Sequence, residues 1–161
     1  MSAFVKAALE AELATITKVV DTPSSPHGYG SDISGAADLD PDMAEVDGFS
    51  TLALAQALVR RLDTPRGSLI DDGDYGIDLR SYCNRPTAAA ELIALAGQVR
   101  GELLKDDRVD TLTVVMRPTS TGNAFDLELS IVPVDPRLGP FDLTLAVTSA
   151  TIVIEAIAEA A

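Results

Sequence analysis

At 161 residues the chain can bury one core, and its 25 acids against 12 bases leave a formal charge of −13. That balance argues against a nucleic-acid backbone or an anionic membrane as the main partner. Trp is absent and aromatics make up 4% of residues, so a core has to be assembled from Leu, Ile, Val and Ala. Cys83 stands alone and has no disulfide partner within the chain, which suits a reducing cytoplasm. No apolar run approaches the roughly 20 residues that a bilayer requires. Glu10 and Glu12 interrupt the stretch where a signal peptide would carry its uncharged apolar region.

Residues Ala3 to Val20 predict a first helix, with Val5, Leu9, Leu13, Ile16 and Val20 at three- and four-residue spacing. Asp21 to Gly48 follows as a polar, turn-rich stretch without regular periodicity and reads as an arm that orders on a neighbour. Ser50 is a good cap for a second helix, with Phe49 placed to staple onto Leu54. Leu52, Ala55, Val59 and Leu62 share one face of that helix, Arg60 and Arg61 suit its C-terminal dipole, and Asp63-Thr64-Pro65 stops it. Thr64 to Pro86 is a compact loop region. Thr87 can cap a third helix to about Lys105, striped by Leu92, Leu95, Ala96, Val99 and Leu103.

The remainder alternates with period two, as a half-exposed antiparallel sheet requires. Leu112, Val114 and Met116 mark one strand, Phe125, Leu127, Leu129 and Ile131 a second, and Phe141, Leu143, Leu145 and Val147 a third. Thr119–Asn123 and Asp135–Pro140 are short enough for hairpins. Thr151 to Ala158 is ambiguous, because Ile152, Val153 and Ile154 favour strand and the Ala/Glu tail favours helix. The expected architecture is α+β and two-layered, with three helices, one of them packed on a three- or four-stranded mainly antiparallel sheet. Its expected divisions are a helix over 1–20, an arm over 21–48 and the α+β domain over 49–161.

Chemistry-bearing patterns are sparse. His27 is the only histidine and sits in a Pro/Gly-rich loop, far in sequence from Cys83, so nothing local builds a nucleophilic triad or dyad. One His and one Cys fall short of a zinc ligand set. Calcium loops counted from Asp38 or from Asp72 place Met43 or Ile77 where Gly is needed, and Phe49 or Cys83 where Glu is needed. Gly28, Gly30 and Gly35 precede no Gly-Lys-Ser/Thr and make no phosphate cradle. Asp71, Asp72, Asp74 and Asp78 crowd a polar loop rather than the apolar pocket that would raise a catalytic acid's pKa. No catalytic residue, metal or cofactor is expected.

One stretch carries a recognisable order of pieces. Gly28–Ser34 reads GYGSDIS, and Gly48-Phe49 leads into a helix ending Arg61-Leu62. Thr64-Pro65-Arg66-Gly67, Tyr75-Gly76 and Asp78-Leu79 follow. This resembles the baseplate wedge protein W family of contractile phage tails, also labelled lysozyme-like and called sheath initiators. The likeness runs from about Gly28 to the end and is strongest over Gly48–Asn84. Family members carry a Glu-Pro-Arg motif before the first strand, similar in place to Asp106-Asp107-Arg108, with Asp107 in place of the proline.

The resemblance implies a non-enzymatic virion subunit, assembled in the bacterial cytoplasm in several copies around a tail tube. Its neighbours would be larger wedge proteins and the tail sheath protein, with tube or hub proteins near. Asp106, Arg108, Arg66, Tyr75 and Asp78 would be the partner-binding residues. A sheet edge would accept a strand from the first sheath ring. The lysozyme-like label carries the alternative, a peptidoglycan-degrading tail enzyme.

Overall fold

A computed structural model describes residues 31–33, 45–85, 88–119 and 123–160. The helix expected over 1–20, most of the arm, His27 and the Thr87 cap lie outside the described residues. The described chain is α+β, with two helices, a four-stranded antiparallel sheet and a separate two-stranded ribbon. None of its helices is long and apolar enough to cross a membrane.

The ribbon pairs β1 (Ser31–Ile33) with β2 (Glu45–Asp47), so two pieces of the expected arm are extended and joined. Asp32 Oδ2 ties the ribbon to Arg60 Nη2 at 2.7 Å. Helix α1 (Thr51–Asp63) starts where Ser50 Oγ accepts the Ala53 N–H at 3.1 Å. It ends where the Thr64 N–H meets the Arg60 carbonyl at 3.1 Å. The buried stripe is Leu54, Ala55, Leu58 and Leu62, whereas Leu52 and Val59 are only half-buried. This helix is apolar most of the way round, so more than one i, i+4 row satisfied the expected spacing. Packing selects the row richest in leucine.

A 3₁₀ turn (Leu79–Tyr82) leads to helix α2 (Ala89–Leu103). Ala88 occupies the N-cap position, and its N–H donates to Glu91 Oε2 at 3.0 Å, one half of a capping box. Leu95, Val99 and Leu103 of α2 are buried.

The sheet is a meander of β3 (Val109–Pro118), β4 (Phe125–Pro133), β5 (Phe141–Val147) and β6 (Ile152–Glu159). Phe125, Leu127, Leu129 and Ile131 face inward beside Phe141, Leu143, Leu145 and Val147, joining the leucines of α1 and α2 in one core. The ambiguous C-terminal segment is strand β6. Its β-branched start pairs Ile152 with Val147 and Ile154 with Leu145, and Glu155 bulges out where the register shifts.

Candidate functional site

The loop from Thr64 to Asp78 is built around one buried carboxylate. Glu102, on the last turn of α2, has a fully buried side chain. Four donors converge on it. Gly76 N–H and Arg61 Nη1 reach Oε1 at 2.9 and 3.2 Å. Arg66 Nη2 and Lys105 Nζ reach Oε2 at 2.7 and 2.9 Å. Burial pushes the carboxyl pKa up, but the Lys105 hydrogen bond, the Gly76 N–H and the nearby cations outweigh it and hold the group below its ordinary value. Glu102 is therefore a carboxylate acceptor near neutral pH, not a proton donor.

The same cations extend the lock outward. Lys105 Nζ also meets Asp74 Oδ2 and the Asp74 carbonyl, each at 2.7 Å. The Lys105 hydrogen bond lowers the Asp74 pKa, and the bond to Asp74 raises that of Lys105. Arg66 Nε donates to the Gly76 carbonyl at 3.2 Å, and the Arg61 guanidinium lies 4.4 Å from the Tyr75 ring centroid. Arg66, Asp74, Tyr82, Gln98 and Lys105 border an open groove of about 550 Å³ beside Glu102.

Backbone geometry explains the glycines here. A turn spans Pro65–Ser68: Ser68 N–H bonds the Pro65 carbonyl at 3.1 Å, with Gly67 at φ +82. Gly76 has φ +91, and its neighbours Ile77 and Asp78 donate to the Arg61 and Thr64 carbonyls, each at 3.1 Å. Asp78 itself is left-handed at φ 41, and its carbonyl accepts the Ser81 hydroxyl at 2.8 Å.

A second cluster sits between α2 and β3. Asp106 is buried, and its carboxylate accepts Arg108 Nε at 2.9 Å and Nη2 at 2.7 Å in a fork-to-fork pair. Asp106 Oδ1 also accepts the Arg108 backbone N–H at 3.1 Å. Burial raises the Asp106 pKa, but the hydrogen bonds and charge of Arg108 outweigh it and lower it overall. The Asp106–Arg108 turn is thus made stiff by a side chain bonding its own backbone. The Arg108 side chain is 18% exposed and borders a groove of about 300 Å³ with Phe49, Leu54, Val134 and Pro136.

The five residues singled out from sequence fall into these two clusters. Arg66, Tyr75 and Asp78 belong to the Glu102-anchored loop, while Asp106 and Arg108 pair with each other. Sequence reasoning missed Glu102, Arg61 and Lys105. The only available signal was an acid on the apolar side of a helix, one residue before Leu103. Among the described residues no group of three or more His, Cys, Asp or Glu side chains could hold a metal ion.

The two outer edges of the large sheet differ. On β6, Ala160 N–H bonds the Pro140 carbonyl at 3.1 Å and Thr148 N–H bonds the Thr151 carbonyl at 2.9 Å. Antiparallel alternation then turns the backbone groups of Ile152, Ile154, Ile157 and Glu159 away from β5. Among the described residues no strand lies beyond them. On β3 the corresponding outward carbonyl of Leu112 accepts Arg100 Nε at 2.9 Å, and Pro118 closes the strand. No protein-family model matches the chain, and no curated protein matches it.

Proposed function

We propose that the chain is a structural wedge subunit of a contractile phage-type tail baseplate, docking on larger wedge proteins and templating the first sheath ring by strand addition. The observation that carries this reading is the asymmetry of the sheet edges. On the β3 edge Arg100 covers the Leu112 carbonyl and Pro118 has no N–H, leaving Val114 and Met116 facing outward between them, whereas β6 turns Ile152, Ile154, Ile157 and Glu159 outward on either side of its bulge. An incoming strand would gain main-chain hydrogen bonds from β6, and alternate side chains would choose the partner. The order of pieces from Gly28 to Asn84 supports the same assignment by resemblance.

The two-layer arrangement, with α2 covering the sheet, belongs to this reading. It is supported by the shared core of Leu95, Val99 and Leu103 with the inward face of β3 to β5. The groove beside Arg108 and Phe49 would take the larger wedge protein. Neighbouring copies would complete a ring around the tube, with assembly in the bacterial cytoplasm. The reading is non-enzymatic. A glycosidase acid needs a raised pKa, and the two carboxylates buried among the described residues, Glu102 and Asp106, are shifted the other way by their cationic partners.

Co-expression with the wedge and sheath subunits of the same tail tests this. A co-purifying complex is expected for the wild-type chain. Ile157→Pro removes an N–H that points away from β5, so the fold should survive while sheath capture is lost. Ile157→Ser keeps the N–H and should retain capture. A wild-type chain that stays monomeric beside both subunits would reject the proposal, and cell-wall clearing by the purified chain would favour the peptidoglycan-degrading alternative.

A further inference from the structure

We infer that Leu69 and Ile70 form a preorganised anchor for an apolar pocket with a cationic rim on a neighbouring wedge subunit. The inference rests on the assembly reading above and adds a contact that neither the sheet edge nor the Arg108 groove supplies.

Ile70 is 105% exposed and Leu69 is 39% exposed, two adjacent large aliphatics at the tip of a loop. Single exposed apolar residues are common on protein surfaces, so exposure alone decides nothing. The mounting is what sets this pair apart. On one side the Pro65–Ser68 turn and Arg66 fix the chain. On the other, Asp72 caps the return turn, its carbonyl accepting the Tyr75 N–H at 3.2 Å, and Asp74 is held by Lys105. Both stems end on the buried carboxylate of Glu102, through Arg66 on one side and the Gly76 N–H on the other. A loop held this way has little ordering entropy left to lose on binding, which is the condition under which a few apolar side chains give useful affinity.

Charge identifies the kind of partner. Asp71 and Asp72 are exposed and follow Ile70 directly, whereas Asp74, also exposed, is neutralised by Lys105 at 2.7 Å and Arg66 at 3.1 Å. Leu69 and Ile70 therefore enter a pocket with two carboxylates at its margin. A cationic rim would speed encounter and fix orientation, while an acidic rim would repel. The anchor-and-rim pattern is that of a small interface hot spot.

The test uses the full chain and the purified wedge-subunit complex of the same tail, with affinity measured at two salt concentrations. Ile70→Ser is expected to weaken binding by about 30-fold, a usual size for a hot-spot residue, with the melting temperature unchanged because that side chain is fully exposed. Asp71→Asn/Asp72→Asn is expected to slow association and flatten the salt dependence. A serine variant that binds like wild type overturns this inference alone. A serine variant with a lowered melting temperature also overturns it, because Ile70 would then be covered by its own chain. Wild-type chain failing to bind the wedge complex overturns the assembly reading and this anchor with it.

Discussion

Gly76 passes so close to Thr64 that a Cβ on it would lie 2.1 Å from the Thr64 carbonyl oxygen. The approach is forced by three bonds: Gly76 N–H to Glu102, Gly76 carbonyl to Arg66, and Asp78 N–H to the same Thr64 carbonyl. Gly76→Ala should therefore lose about 3–5 kcal/mol, combining backbone strain at φ +91 with a clash against backbone. Gly67 is the internal control, since it has φ +82 but nothing within 4 Å of its Cβ position. Gly67→Ala should cost only about 1 kcal/mol. Urea denaturation of the two variants checks the contrast, and equal losses would show that the Thr64 contact relaxes.

Glu102 sets the acid limit of stability. Its folded pKa is depressed, so its contribution is fully present above the unfolded value near 4.5 and is lost as pH falls through the folded value. Asp106 acts in the same direction from an ordinary value of 3.8. The urea midpoint of the wild-type chain should stay level from about pH 7 to 5 and then fall steeply below about pH 4. Glu102→Gln should lower the plateau by about 2–3 kcal/mol, because three cations lose their shared carboxylate, and should soften the acid slope. An unchanged slope would show that other carboxylates dominate acid unfolding.

The first three strands of the sheet were readable because their apolar residues recur at every second position, strictly so in β4 and β5, and period two leaves one choice of face. The second helix was readable in extent but not in rotation, since Leu52 and Leu54 both begin apolar rows and only tertiary packing separates them. The C-terminal strand could not be decided locally. Its alanines and glutamates favour helix, and pairing with β5 overrides them. The Glu102 cluster was invisible for a different reason. It joins Arg61, Arg66, Gly76 and Lys105 across up to 41 residues, a long-range convergence that no local spacing encodes.

Arg100 has a role that only the sheet edge reveals. Its Nε covers the Leu112 carbonyl, and Arg100→Leu would leave that acceptor to solvent on an edge strand. The direct loss should be about 1 kcal/mol, the value of one part-buried hydrogen bond. The larger effect should be concentration-dependent self-association through the uncovered β3 edge, visible as a shift to dimer in sedimentation velocity. A variant that stays monomeric at high concentration would show that Pro118 or the strand's twist protects β3 without help from Arg100.

The Asp106–Arg108 pair separates two roles that a single truncation would merge. Arg108→Ala removes the partner of a buried carboxylate and should cost about 2–3 kcal/mol, somewhat below a fully buried pair because the arginine is 18% exposed. Reduced wedge binding by that variant would be uninformative, since loosening the turn into β3 moves the groove lined by Phe49 and Val134. Asp106→Asn/Arg108→Ala removes the orphaned charge while the amide oxygen still accepts the backbone N–H of residue 108. This double variant should recover at least half of the lost stability, giving a clear interaction energy in a double-mutant cycle. Its affinity for the wedge complex then reports docking alone. Loss of binding by the restabilised variant assigns the guanidinium to the interface, and full binding assigns it to the turn that holds β3 in register.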